Sequence, residues 1–160
     1  MIRILELDPT KKEVVSVDIE HYNVGGTLSW IDCYKPTEKE FQIISERTGI
    51  PTADLKESID PDKRPQVVAF ENYSQIIFRG PYQGGKEVHT QALNRDKSEA
   101  HTSPIAIFLF KNDVLTIYNE PMSGVEKFRS LPMHQLTVIF RKGGPRLIYR
   151  FMDTVVNDFF

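Results

Sequence analysis

With 160 residues, the chain is long enough for one domain with a real core and short for two. Hydrophobic residues make up 40% and charged residues 26%, as in a soluble globular protein, and a net charge of −2 gives no electrostatic footing for nucleic acid, whose phosphates need many Lys and Arg. A single cysteine, Cys33, rules out an internal disulfide; beside Trp30 and Ile31 it reads as a packing residue.

The predicted elements begin with strands. Ile2, Ile4 and Leu5 precede the turn signal Asp8-Pro9-Thr10, and Val14, Val15 and Val17 follow, which predicts a hairpin. Gly25-Gly26 breaks the chain before a short strand from Thr27 to Asp32. Thr37 with Glu40 three residues on is a capping box, and Phe41 and Ile44 continue at helical spacing until Gly49. A second short helix is expected over Thr52 to Ile59, stopped by Pro61 and Pro65. Gln66 to Phe70 with Ser74 to Arg79, and Pro104 to Phe110 with Val114 to Tyr118, predict two further hairpins; between them, Val88 to Leu93 suits an edge strand. Val125 to Leu131 reads as a helix and Met133 to Phe140 as one more strand. After Gly143-Gly144-Pro145, a last helix carries Ile148, Phe151, Met152, Val155 and Phe159 on one face, with Arg146, Arg150, Asp153 and Asn157 opposite. No Gly or Pro stops it before Phe160, so we expect a helix cut through by the chain end. Strands in hairpins with helices near the start and at the end give an α+β fold.

No secretory leader follows Met1, and the longest clean apolar run, Ile105 to Phe110, is far below the roughly 20 residues a spanning helix needs. Motifs of chemistry are weak. Gly80 to Glu87 nearly spells a phosphate loop, but Glu87 stands where a hydroxyl must bind magnesium, so a polar hairpin loop is the better reading. His21, His89, His101 and His134 lack the spacing of a zinc site, and no nucleophile elbow is present. These patterns predict no enzyme.

The order of several short motifs carries more. They are Trp30-Ile31-Asp32, Pro36-Thr37 with Glu40, Gly49-Ile50-Pro51, Arg64-Pro65-Gln66-Val67 and Phe70-Glu71-Asn72-Tyr73. Ile107 to Thr116, Glu120-Pro121 and Leu147 to Asp153 follow, ending on Asp158-Phe159-Phe160. In this order they resemble the N-terminal cytoplasmic domain of the CorA family of magnesium and divalent-cation transporters. The resemblance runs from about Trp30 to the end, with residues 1–160 as one domain.

It implies a mixed, largely antiparallel sheet sandwiched between helices in α/β/α layers. It also implies a stalk and membrane spans beyond this chain, a place on the cytoplasmic face of the membrane, and neighbouring copies in a homopentamer as partners. In the family this domain senses the transported ion. Carboxylates between subunits hold Mg2+, or Co2+ or another divalent ion, which favours the closed channel. By that resemblance the metal residues here are Glu57 and Asp153, a regulatory site shared with a neighbouring subunit and weak in the isolated domain. Lys56 stands where the family has a second acidic residue, beside Glu57. Plainer readings remain: Glu57 as a solvated helix residue, Asp153 as a partner of Arg150, and Trp30 and Tyr149 as core. Alternative functions are an assembly domain of a CorA-like zinc transporter, or a free-standing binding domain.

Overall fold

The computed structural model describes residues 1–82 and 101–159. Strands β1 (Ile2–Leu7) and β2 (Val14–Val17) form the first hairpin. Its turn is set by Asp8, whose Oδ1 accepts from the Thr10 and Lys11 N–H groups at 2.8 and 2.9 Å. A 3-10 turn (Ile19–His21) leads to β3 (Ser29–Tyr34), antiparallel to β1.

Helix α1 (Glu38–Thr48) opens on the predicted capping box: Glu40 N–H donates to Thr37 Oγ1 (3.2 Å) and Thr37 N–H to Glu40 Oε1 (3.0 Å). It closes on Gly49 at φ 79°, a left-handed conformation that glycine adopts without strain. Helix α2 (Thr52–Ser58) follows, then β4 (Gln66–Ala69), β5 (Ser74–Pro81), β6 (Thr102–Phe110) and β7 (Asp113–Tyr118). Three helices end the fold: α3 (Ser123–Arg129), α4 (Met133–Arg141) and α5 (Gly144–Val156), with a 3-10 turn at Asn157–Phe159.

All these strands join one 7-stranded sheet in the order β2-β1-β3-β7-β6-β5-β4. Among the described residues every pairing is antiparallel except β3 with β7, which run parallel at the centre. Alternation along the strands sends side chains to two cores. On one face Ile31, Cys33, Ala106, Phe108, Leu115 and Ile117 pack under Phe41, Ile44 and Leu55 of α1 and α2. On the other, Trp30, Ile105, Ile107 and Val114 pack under α3, α4 and α5. There Trp30, Phe128 and Phe151 meet edge to face, with centroids 5.2 to 6.1 Å apart. The sheet is therefore sandwiched between helices, as the resemblance implied.

Met133 to Phe140 is not a strand but helix α4. The β-branched run Thr137-Val138-Ile139 favours a strand by propensity. Burial follows a helical stripe instead: Leu136, Thr137, Ile139 and Phe140 face the core while Val138 is 53% exposed. Packing over the sheet overrides propensity here, and Pro132 suits a helix start. Tyr149 is also not core: it is 57% exposed, with the Arg146 guanidinium 5.4 Å from its ring centre. The expected edge strand at Val88 to Leu93, and all but the first residues of the near-phosphate loop, lie outside the described residues.

Candidate functional site

Glu57 lies near the end of α2, with its side chain 68% exposed. It is not bare: Lys63 Nζ stands 3.0 Å from Glu57 Oε1. Lys63 is only 19% exposed because its loop is pinned from behind. Arg79, on β5, donates through Nη1 to the carbonyls of Pro61 (3.0 Å) and Lys63 (2.9 Å). Its Nε and Nη2 donate to the Thr102 hydroxyl and carbonyl at 2.9 and 2.7 Å. One guanidinium thus ties the loop between α2 and β4 to the sheet. In the first turn of α2, Asp54 Oδ2 accepts from the Tyr73 hydroxyl at 2.6 Å.

Lys56 is occupied as well. Its ammonium pairs with Glu38 of α1 and lies 5.8 Å from the Phe41 ring centre. The α1–α2 surface therefore carries two Lys–Glu pairs side by side. Neither Lys63 nor Glu38 stands at a helical spacing from its partner, so no local pattern signals either pair.

Asp153 sits exposed on the outer side of α5. It takes a 3.5 Å hydrogen bond from Asn157 Nδ2, and no charge pair with Arg150 is present among the described residues. Helices α2 and α5 cover opposite faces of the sheet, so one chain does not bring Glu57 and Asp153 to one ion. Among the described residues, no group of three or more His, Cys, Asp or Glu side chains is arranged to hold a metal. Glu57 and Asp153 are single exposed carboxylates, the first paired with Lys63 and the second taking a hydrogen bond from Asn157.

A buried polar cluster, unforeseen from sequence, lies beneath α3. Asp32, 2% exposed, accepts from the Thr116 hydroxyl at 2.7 Å and from the Tyr118 hydroxyl at 3.2 Å. Thr116 Oγ1 in turn accepts from Trp30 Nε1 at 2.9 Å. Arg129 Nε stands 3.0 Å from Asp32 Oδ2, a charge contact without hydrogen-bond alignment. Burial pushes the Asp32 carboxyl up, against the Thr116 hydroxyl and the Arg129 guanidinium, which hold it down. Desolvation opposes the Arg129 charge, but Asp32, Tyr118 and Glu126 outweigh it and push its pKa up. A second buried carboxylate, Asp113, accepts from Tyr22 OH (2.6 Å) and the Ser29 N–H (3.0 Å), fixing the start of β7.

An open notch of about 570 Å3 lies at the free end of β1, between Arg3, Val17, Ile19 and Arg129; neither Glu57 nor Asp153 lines it. Among the described residues, no helix is long and apolar enough to cross a membrane. Cys33 is fully buried, and burial pushes its thiol up to about 12.

Comparison with known proteins matches residues 25–160 to the model of the family described as CorA-like Mg2+ transporter protein. The cobalt/magnesium transport protein CorA of Methanocaldococcus jannaschii is 23% identical over 133 residues, covering 82% of this chain and 38% of the relative. The soluble domain of CorA from the same organism shares the fold, with a TM-score of 0.68 and 21% identity over 98% of this chain and 56% of that one. The ZntB cytoplasmic domain from Vibrio parahaemolyticus does so too, with a TM-score of 0.64 and 11% identity over 96% of this chain and 56% of that one. The chain spans about two-fifths of the length of the curated relatives it matches.

Proposed function

Because the chain belongs to the family of CorA-like Mg2+ transporter proteins, we propose that it is the cytosolic domain of a membrane transporter for magnesium or cobalt. The domain regulates transport through contacts between neighbouring copies. The family match from residue 25 to the end is the observation that carries this reading. The name of the curated relative supports the choice of ions.

In this reading Glu57 and Asp153 hold a divalent ion between two copies, each copy giving one carboxylate. Their exposure on opposite faces of the sheet favours a shared site over a closed one. A bound ion screens the carboxylates and stabilises one arrangement of the copies; when the ion leaves, they repel and the other arrangement gains. A second reading is an assembly domain that senses nothing. Lys56, where the resemblance implies another carboxylate, favours it.

The test is divalent uptake by the whole gene product in liposomes, with Mg2+, Co2+, Ni2+ and Zn2+ compared. Uptake of Mg2+ or Co2+ is expected; uptake of Zn2+ alone moves the assignment to a zinc transporter, and no uptake of any of them overturns the reading. Titration calorimetry on this chain is expected to show weak Mg2+ binding. Micromolar binding by a monomer refutes the shared site.

A further inference from the structure

We propose that the Lys63 ammonium is a built-in counter-ion of Glu57 that a divalent ion has to displace, so that Lys63 sets the ion concentration at which the α2 surface responds. The inference rests on the reading of Glu57 as a divalent ligand and deepens it. The two members of the pair are held unequally. Glu57 is 68% exposed and Lys63 only 19%. The lysine is the anchored half: its carbonyl and that of Pro61 take the Arg79 guanidinium at 2.9 and 3.0 Å, and its N–H donates to the Asp60 carbonyl at 2.8 Å. The loop from Asp60 is tightened further by Asp62 N–H on Asp60 Oδ1 (2.9 Å). The ammonium is thus delivered to the carboxylate by the fold of a single copy, whatever its neighbours do.

An arriving divalent ion meets a positive charge already beside its ligand. Lys56, next in sequence, is already paired with Glu38 and adds little net charge of its own. Repulsion between a doubly charged ion and an ammonium roughly 5 Å away, even in high dielectric, weakens binding about tenfold or more. Lys63 balances Glu57 charge for charge, whereas a divalent ion on that one carboxylate leaves the surface net positive, which opposes the exchange. The surface then responds only when the ion is abundant.

The experiment is titration of the 15N-labelled chain with Mn2+ alone, a paramagnetic ion that shares with Mg2+ a preference for oxygen ligands. Broadening of the amides from Lys56 to Ser58 is the readout. Wild type is expected to broaden only at the top of the titration, and Lys63→Met at about tenfold lower Mn2+. Lys63→Arg, which keeps the charge, is expected to follow wild type, and Glu57→Gln added to Lys63→Met to remove the effect. Equal midpoints for wild type and Lys63→Met, both abolished by Glu57→Gln, overturn the counter-ion role while leaving Glu57 as a ligand. Broadening that ignores Glu57→Gln, or none in Lys63→Met, overturns the ligand reading and the inference together.

Discussion

Replacing Arg129 with Met isolates the buried charge beneath α3. The substitution keeps much of the aliphatic stem and removes the guanidinium 3.0 Å from Asp32. Asp32 is then a carboxylate, 2% exposed, with the Thr116 and Tyr118 hydroxyls as its donors and Arg3 as the remaining positive charge acting on it. Breaking a buried pair from one side costs about 3–5 kcal/mol, because the surviving charge is left uncompensated. At about 2–4 °C per kcal/mol for a domain of this size, the midpoint falls by about 6–20 °C. The pH dependence has a definite sign. Burial raises the Asp32 pKa in the folded state, so the folded chain binds that proton more readily than the unfolded one. Stability at this group is therefore full below the unfolded carboxyl range and is lost as pH rises through the folded value. Arg129 pulls that value down, so its removal raises it further and widens the window. The gap between wild type and Arg129→Met should narrow between pH 7 and pH 5, and Asp32→Asn added to the variant should recover part of the loss at pH 7. Thermal and urea unfolding followed by circular dichroism measure both. A loss under about 1 kcal/mol at pH 7, or a gap that widens on acidification, would mean that Arg129 does not balance the Asp32 charge.

A Cβ on Gly124 would sit 2.8 Å from Val155 Cα and 3.2 Å from the Thr154 carbonyl, so Gly124→Ala has to push α3 off α5; about 1–3 kcal/mol is expected to be lost in urea unfolding. Tyr22→Phe removes one donor from Asp113 and leaves its bond from Ser29 N–H, so a loss of about 1–3 kcal/mol is expected by thermal unfolding. The Cys33 thiol, buried and pushed up to about 12, should ignore Ellman's reagent at pH 8 in the native chain and react once urea unfolds it.

The sequence was most informative where the signal is local. The Thr37–Glu40 capping box, the Gly49 terminus and the apolar stripe of α5 depend on residues three and four apart, and all are present as expected. Residues 133–141 failed because two local signals conflict, and only the neighbouring helices and sheet decide between them. The same limit governs the candidate site. Glu57 came from the order of motifs, but its partner Lys63 is brought to it by an Arg79 clamp whose members are 16 to 23 residues apart. Asp32 gave no sign of being buried, since its partners Thr116 and Arg129 lie far along the chain.

Among the described residues β3 with β7 is the one parallel pairing, and it bears on how the chain reaches this state. It welds two antiparallel blocks, β2-β1-β3 and β7-β6-β5-β4, whose own neighbours are nearer in sequence. Asp32 and Thr116 meet across a separation of 84 residues, a loop closure that the pairing must meet before its contacts repay it. The hairpins of each block are free to form early and reversibly. We expect the meeting of the blocks along Trp30 to Tyr34 and Val114 to Tyr118 to be the step that makes assembly cooperative. Substitutions within this seam should slow folding, while those in the outer hairpins should mainly hasten unfolding.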